Sequence, residues 1–234
     1  MIPLRVTVPS RGRPIATLAL IAINVAVFLY ELSLPDAAQQ NLLTLYGLVP
    51  ARLSHAVAVA GPPAVLTIFT SMFLHGGWLH IIGNMWFLWL FGDNVEERFG
   101  HLRFVLFYLL CGVAAAGTQC LVSRGSTEPM IGASGAISGV MGAYLLLYPR
   151  AGMTCLVPLV FTYRIVVIPA FVYLGFWFLA QLYMGSLASG TQKADGSVAF
   201  WAHVGGFVAG MALLPLFLLW RGHSRASDSP AGDA

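Results

Sequence analysis

Apolar residues dominate this chain in six stretches, residues 15 to 34, 78 to 95, 102 to 122, 133 to 148, 163 to 184 and 198 to 220. A bilayer core takes about 20 apolar residues of helix to cross, so the pattern predicts six transmembrane helices in one bundle. The fourth run is unusual: it opens on "GASGAISGVMGAY", with four glycines and two serines where bulky lipid-facing residues would be expected. The connection 35 to 77 is also unusual, being long and apolar ("NLLTLYGLVP", "AVLTIFTSMFLH"). It predicts short segments lying in the membrane interface as a collar on the bundle.

Composition supports this reading. Of 234 residues, 58% are hydrophobic and 9% charged, against a charged fraction of about a quarter in soluble domains. The expected fold is an all-α polytopic membrane protein: a cytoplasmic N-terminal segment 1–14, a six-helix membrane domain 15–220 and a disordered cytoplasmic tail 221–234. The first run is long and lacks a small-x-small cleavage site, so it reads as a retained helix rather than a signal peptide.

Basic residues orient the bundle, because cytoplasmic loops collect Lys and Arg. With the N-terminus inside, Arg5, Arg11, Arg13, Arg98, Arg103, Arg150, Arg164, Arg221 and Arg225 are cytoplasmic, and Arg52, Arg124 and Lys193 are outside. Both termini are then cytoplasmic. The net charge of +3 reflects topology, and no basic face with interleaved aromatics suggests a nucleic-acid partner. Cys111, Cys120 and Cys155 show neither a disulfide framework nor zinc spacing, so no metal site is expected. The two halves of the chain do not echo each other as transporter repeats do.

Helical rise converts this topology into depth. From Ser134 to Tyr148 is only about 21 Å at 1.5 Å per residue, against a hydrocarbon core of about 30 Å, which submerges Ser134 by roughly 9 Å. His203 lies six residues into the sixth run, at the same depth. His80 and Asn84 are one turn apart on one face of the second helix, also in the outer half. His75 is expected near the outer surface, His55 in the collar, and His101 and His223 on the inner side. Glu31, Asp36, Glu128 and Asp195 fall in or beside outer loops, and Asp93, Glu96 and Glu97 at the inner end of the second helix. No carboxylate is left to support a buried histidine at this level, which leaves a Ser-His dyad.

Taken singly, Gly135 with Gly139, Ser138 with Gly142, and Gly206 with Gly210 are small-xxx-small packing pairs. Together, glycines that bring the fourth and sixth helices close are also what a Ser134–His203 hydrogen bond requires. Gly132 and Gly135 leave room around Ser134. Free N–H groups at the start of the fourth helix, with Asn84 and His80 as side-chain donors, are placed to form an oxyanion hole. The Gly- and Ser-rich stretch before Trp201 is the natural lid.

"GASGAISG", "HGGWLHIIGN" and "AHVGGFVAG", with "GDNVEERFG" between them, resemble the rhomboid intramembrane serine proteases over about residues 67 to 220. The resemblance implies Ser134 as nucleophile and His203 as base, with His80 and Asn84 at the oxyanion positions. Gly206 and Gly210 match the glycines that pack the base helix on the nucleophile helix. It further implies cleavage of single-pass transmembrane substrates in the bilayer of a cell inner membrane, a site opening to the outer side, and no cofactor or metal. Two features depart from the pattern. Ser138 stands where some members stack an aromatic ring on the base, and "LVPARL" replaces the Trp-Arg pair often found in the first outer loop. The rival readings are a catalytically inactive rhomboid-like protein that binds membrane clients, and a carrier using His80 and His203 on a polar path.

Overall fold

The computed structural model describes residues 1–10, 12–54, 61–159, 162–190 and 198–227. Nine helices follow one another among these residues: α1 (Ile15–Ser33), α2 (Asp36–Tyr46), α3 (Pro50–Leu53), α4 (Ala64–Thr70), α5 (Trp78–Phe99), α6 (His101–Val122), α7 (Ser134–Leu147), α8 (Ala170–Gly190) and α9 (Phe200–Ser227). A 3-10 turn, Ser71–Phe73, follows α4. Each of the six expected apolar segments holds a helix. Four of them, α1, α6, α8 and α9, are long and apolar enough to cross a membrane alone. A fifth span results if α5 is joined to Ala64–Phe73, from which it is bent by 83°. With 14 residues, α7 is about 21 Å long, short of a full crossing, which is the length that depth counting requires. The protein is a mostly helical, multi-pass membrane protein.

A three-stranded antiparallel sheet is the main addition to the expected helices. Its strands are β1 (Ile2–Val6), β2 (Gly152–Pro158) and β3 (Tyr163–Pro169), in the order β1-β2-β3. Ile2 pairs with Leu156, and β2 pairs with β3 from Gly152–Pro169 to Pro158–Tyr163. The indole N–H of Trp86 donates to Pro3 O at 2.7 Å, tying the sheet to α5. The fifth expected span, α8, accordingly starts its helix at Ala170 rather than 163. The run "YRIVVIP" is apolar, but β-branched residues favour a pleated surface and Pro169 cannot continue a helix from before it. At the other end, α9 continues past 220 to Ser227, so 221–227 are helical where a disordered tail is expected. Residues 228–234 lie outside the described residues.

The central helix is α7, buried continuously from Gly135 to Tyr144. Its glycines put two backbones in contact. A Cβ added to Gly206 would strike the carbonyl oxygen of Gly135, one on Gly210 that of Gly139, and one on Gly142 that of Phe207. A Cβ on Gly139 would also run into Cys111 of α6. On Gly135 it would lie 2.7 Å from the Ala115 Cβ, so this glycine admits α6 rather than making space around Ser134.

At the sheet end of the bundle, a buried carboxylate secures α1. Pro14 precedes the helix and offers no side-chain cap. The first N–H groups instead donate to Glu96 of α5, Ala16 N at 2.8 Å and Thr17 N at 2.7 Å, joined by the Thr17 hydroxyl at 2.7 Å. His101 Nδ1 also contacts this carboxylate. An anion at a helix N-terminus satisfies orphan donors and meets the positive end of the helix dipole. Glu96→Ala leaves those buried donors unpaired and is expected to cost about 3 kcal/mol, read as a fall in the thermal unfolding temperature in detergent. An unchanged temperature would mean that apolar packing alone holds α1.

Candidate active site

The loop entering α7 is held from two sides. Gly132 has φ of +116°, a region side-chain-bearing residues avoid, and its N–H donates to Ser71 O at 2.8 Å. Met130 exchanges both backbone hydrogen bonds with Leu48 of the collar, at 2.8 and 3.0 Å. Within "LVPARL", the buried Arg52 donates to Leu45 O and Pro62 O, both at 3.0 Å. This guanidinium ties together the segments around α2, α3 and α4.

Where α7 begins, Ser134 meets His203 of α9. The Ser134 hydroxyl lies 2.8 Å from His203 Nε2, and the imidazole is 8% exposed. Its other nitrogen, Nδ1, lies 2.8 Å from Oε1 of Gln181 on α8. An amide oxygen only accepts, so Nδ1 carries the proton and Nε2 presents its lone pair to the serine. The Trp177 ring, one turn before Gln181, lies against the imidazole with centroids 5.8 Å apart and planes 36° apart. Ser138 is buried and donates to Ser134 O at 2.6 Å, so it is satisfied within its own helix.

Two further donors face this pair across the loop. Asn84 is 7% exposed and its Nδ2 has no hydrogen-bond partner. A Cβ on Gly132 would come within 2.6 Å of His80 Nε2 and 3.5 Å of Asn84 Nδ2, so the absence of a side chain there lets both approach the start of α7. Gly76 N–H donates to His80 Nδ1 at 3.4 Å, which leaves the proton on Nε2, the nitrogen nearer the loop. Ser134, His203, His80 and Asn84 line one cavity of about 1420 Å³. On its deep side the fully buried Val140, Met141 and Tyr144 of α7, with Phe91 of α5, fill the bundle.

The four expected side chains are thus brought together. Two buried residues lie beside them. His75, just before α5, is fully buried, packed edge-on against His80 with centroids 5.1 Å apart. Glu31, near the end of α1 beside the connection that follows, is buried, its carboxylate 3.3 Å from His75 N. His75 sits where the chain bends into α5, and a hydropathy pattern does not report such a bend. Gln181 and Trp177 were not singled out in the sequence. The available signal was an isolated amide and a Trp at i and i+4 spacing in an otherwise apolar run. The Gly- and Ser-rich lid stretch falls partly on 191–197, and His55 on 55–60; both lie outside the described residues.

Comparison with known proteins shows the family. The Rhomboid domain model matches residues 62–220. RHOMBOID-like protein 5 of Arabidopsis thaliana is 35% identical over 78 residues, 33% of this chain and 25% of that protein. RHOMBOID-like protein 6, mitochondrial, of the same plant is 38% identical over 78 residues, again 33% and 25%. The mouse (Mus musculus) presenilin-associated rhomboid-like protein, mitochondrial, is 34% identical over 95 residues, 40% of this chain and 25% of that protein. The matched segments span about a quarter of these relatives' length. With the domain match covering well over half of its residues, the chain belongs to the rhomboid family.

Proposed function

We propose that this protein is an intramembrane serine endopeptidase that cleaves single-pass transmembrane substrates within the outer half of the bilayer. The observation that carries the reading is the 2.8 Å contact between Ser134 Oγ and His203 Nε2 in a cavity that His80 and Asn84 also line. His203 takes the proton of Ser134 as its oxygen attacks a substrate carbonyl. The Ser134 N–H at the start of α7, Asn84 and His80 stabilise the tetrahedral oxyanion. His203 then protonates the leaving amine, and water entering the cavity releases the acyl chain by the reverse proton path. In this reading the protein lies in a cell membrane with both termini cytoplasmic and the cavity open to the outer side.

Apolar packing beneath the site argues against a carrier, which needs a polar path through the bundle. A protein that only binds membrane clients has no use for an unpaired, buried Asn84 amide aimed at a helix start. The test is reconstitution in liposomes with a single-pass test substrate, the products being identified by mass spectrometry. The wild-type protein is expected to cleave at one site, and Asn84→Ala to retain its fold while losing about 3 kcal/mol of transition-state stabilisation. Turnover unaffected by Asn84→Ala would remove that residue from the site, and an intact substrate with wild-type protein would sink the protease reading.

A further inference from the structure

We infer that Gln181 of α8 is a positioning residue for His203, making the catalytic unit a Ser134–His203–Gln181 relay with a neutral amide in the third place. This rests on the protease reading for its functional consequence, and on geometry alone for the interaction. Both imidazole nitrogens are used, Nε2 at 2.8 Å from Ser134 Oγ and Nδ1 at 2.8 Å from Gln181 Oε1.

A buried imidazole without a partner at Nδ1 is free to hold its proton on either nitrogen and to turn about its side-chain bonds. With the proton on Nε2 it has no lone pair for the serine and no base exists. The Gln181 oxygen removes that freedom by accepting from Nδ1–H. It also stabilises the imidazolium that forms when His203 takes the serine proton, because a hydrogen bond to a charged donor is stronger than to a neutral one.

Trp177 completes the restraint. It precedes Gln181 by one helical turn, so both project from one face of α8, the indole against the ring face and the amide against the ring edge. The Ser138 position, four residues after the nucleophile, is then not needed to hold the base. Its hydroxyl is engaged with Ser134 O. The base on α9 is therefore oriented by α8, the least buried of the four long spans, with 22% of its window inside the protein.

Two readouts test this. Gln181→Met keeps the side-chain length and removes the acceptor, whereas Gln181→Glu keeps an acceptor. With the imidazoles labelled with ¹⁵N, His203 is assigned among the six histidines by subtraction of the His203→Gln spectrum. It is expected to show the Nδ1–H form alone in the wild-type protein and a mixture of tautomers in Gln181→Met. In the liposome assay Gln181→Met is expected to lower kcat by about 10- to 100-fold, the weight of one hydrogen bond to a charged group, with KM within about twofold. Gln181→Glu is expected to restore most of it. An unchanged tautomer in Gln181→Met overturns the proposal even if the wild-type protein cleaves nothing, so it is separable from failure of the protease reading. Equal loss of activity in Met and Glu variants, with a matching fall in thermal stability, also overturns it, because that is the signature of packing.

Discussion

Replacing Ser134 or His203 by alanine is expected to lower cleavage by about 10,000-fold or more, and replacing both is expected to do no further harm. The reason is that the two side chains perform one act. A serine hydroxyl at neutral pH is a poor nucleophile until its proton has somewhere to go, and the acceptor 2.8 Å away is His203 Nε2. Residues that act as a unit are not additive: once the serine is gone the base has nothing to activate, and the residual rate comes from binding and oxyanion donors. Independent contributions would instead multiply in the double variant. A fluorophosphonate probe gives a second reading without a peptide substrate, since it labels only an activated serine. Labelling of the wild-type protein is expected to fall to background in His203→Ala although Ser134 is still present. Labelling that persists in His203→Ala would mean that another group activates the serine, and the dyad would have to be abandoned.

How far the sequence reveals this arrangement depends on the range of the signal. Six apolar runs predict six helices because hydropathy is a local property, and Ser134, His203, His80 and Asn84 are assigned to one depth because rise per residue is fixed. The short α7 follows from the same arithmetic. The sheet was not legible. Whether "YRIVVIP" is a strand or the start of a span depends on partners at Gly152–Pro158 and Ile2–Val6, which lie far off in the chain. Arg52 reads as an outer-loop charge, yet it bonds two carbonyls inside the collar. Glu96 reads as the inner end of a helix and in fact caps another helix 79 residues earlier. Gln181 is the clearest case: an amide in an apolar helix shows that a partner exists but not which one. The histidine it meets lies 22 residues further on, in the next helix. Local periodicity places residues in depth, while pairing around the bundle needs the tertiary structure.

Gly210→Ala is expected to lower cleavage by about 100-fold although residue 210 touches neither the substrate cavity nor the dyad. A Cβ at Gly210 would collide with the backbone carbonyl of Gly139, and a backbone carbonyl inside a buried helix cannot swing aside as a side chain can. Relief requires α9 to move away from α7 by an ångström or more. His203 lies seven residues earlier on α9, two turns towards the cavity, and moves with it. The Ser134–His203 contact is then stretched beyond hydrogen-bond range, and a misplacement of about 1 Å costs about 100-fold in rate. Overpacking also strains the bundle by about 1–3 kcal/mol, so a modest fall in thermal stability accompanies the loss. Gly117→Ala on α6 is the control, because an added Cβ there meets nothing within 4 Å. It also removes a flexible residue from a helix interior, so it is expected to leave turnover unchanged and stability equal or higher. The decisive comparison is cleavage by the two variants at equal folded fraction. Full activity in Gly210→Ala would show that α7 and α9 have room to spare, and would separate the packing of these glycines from the chemistry they are argued to serve.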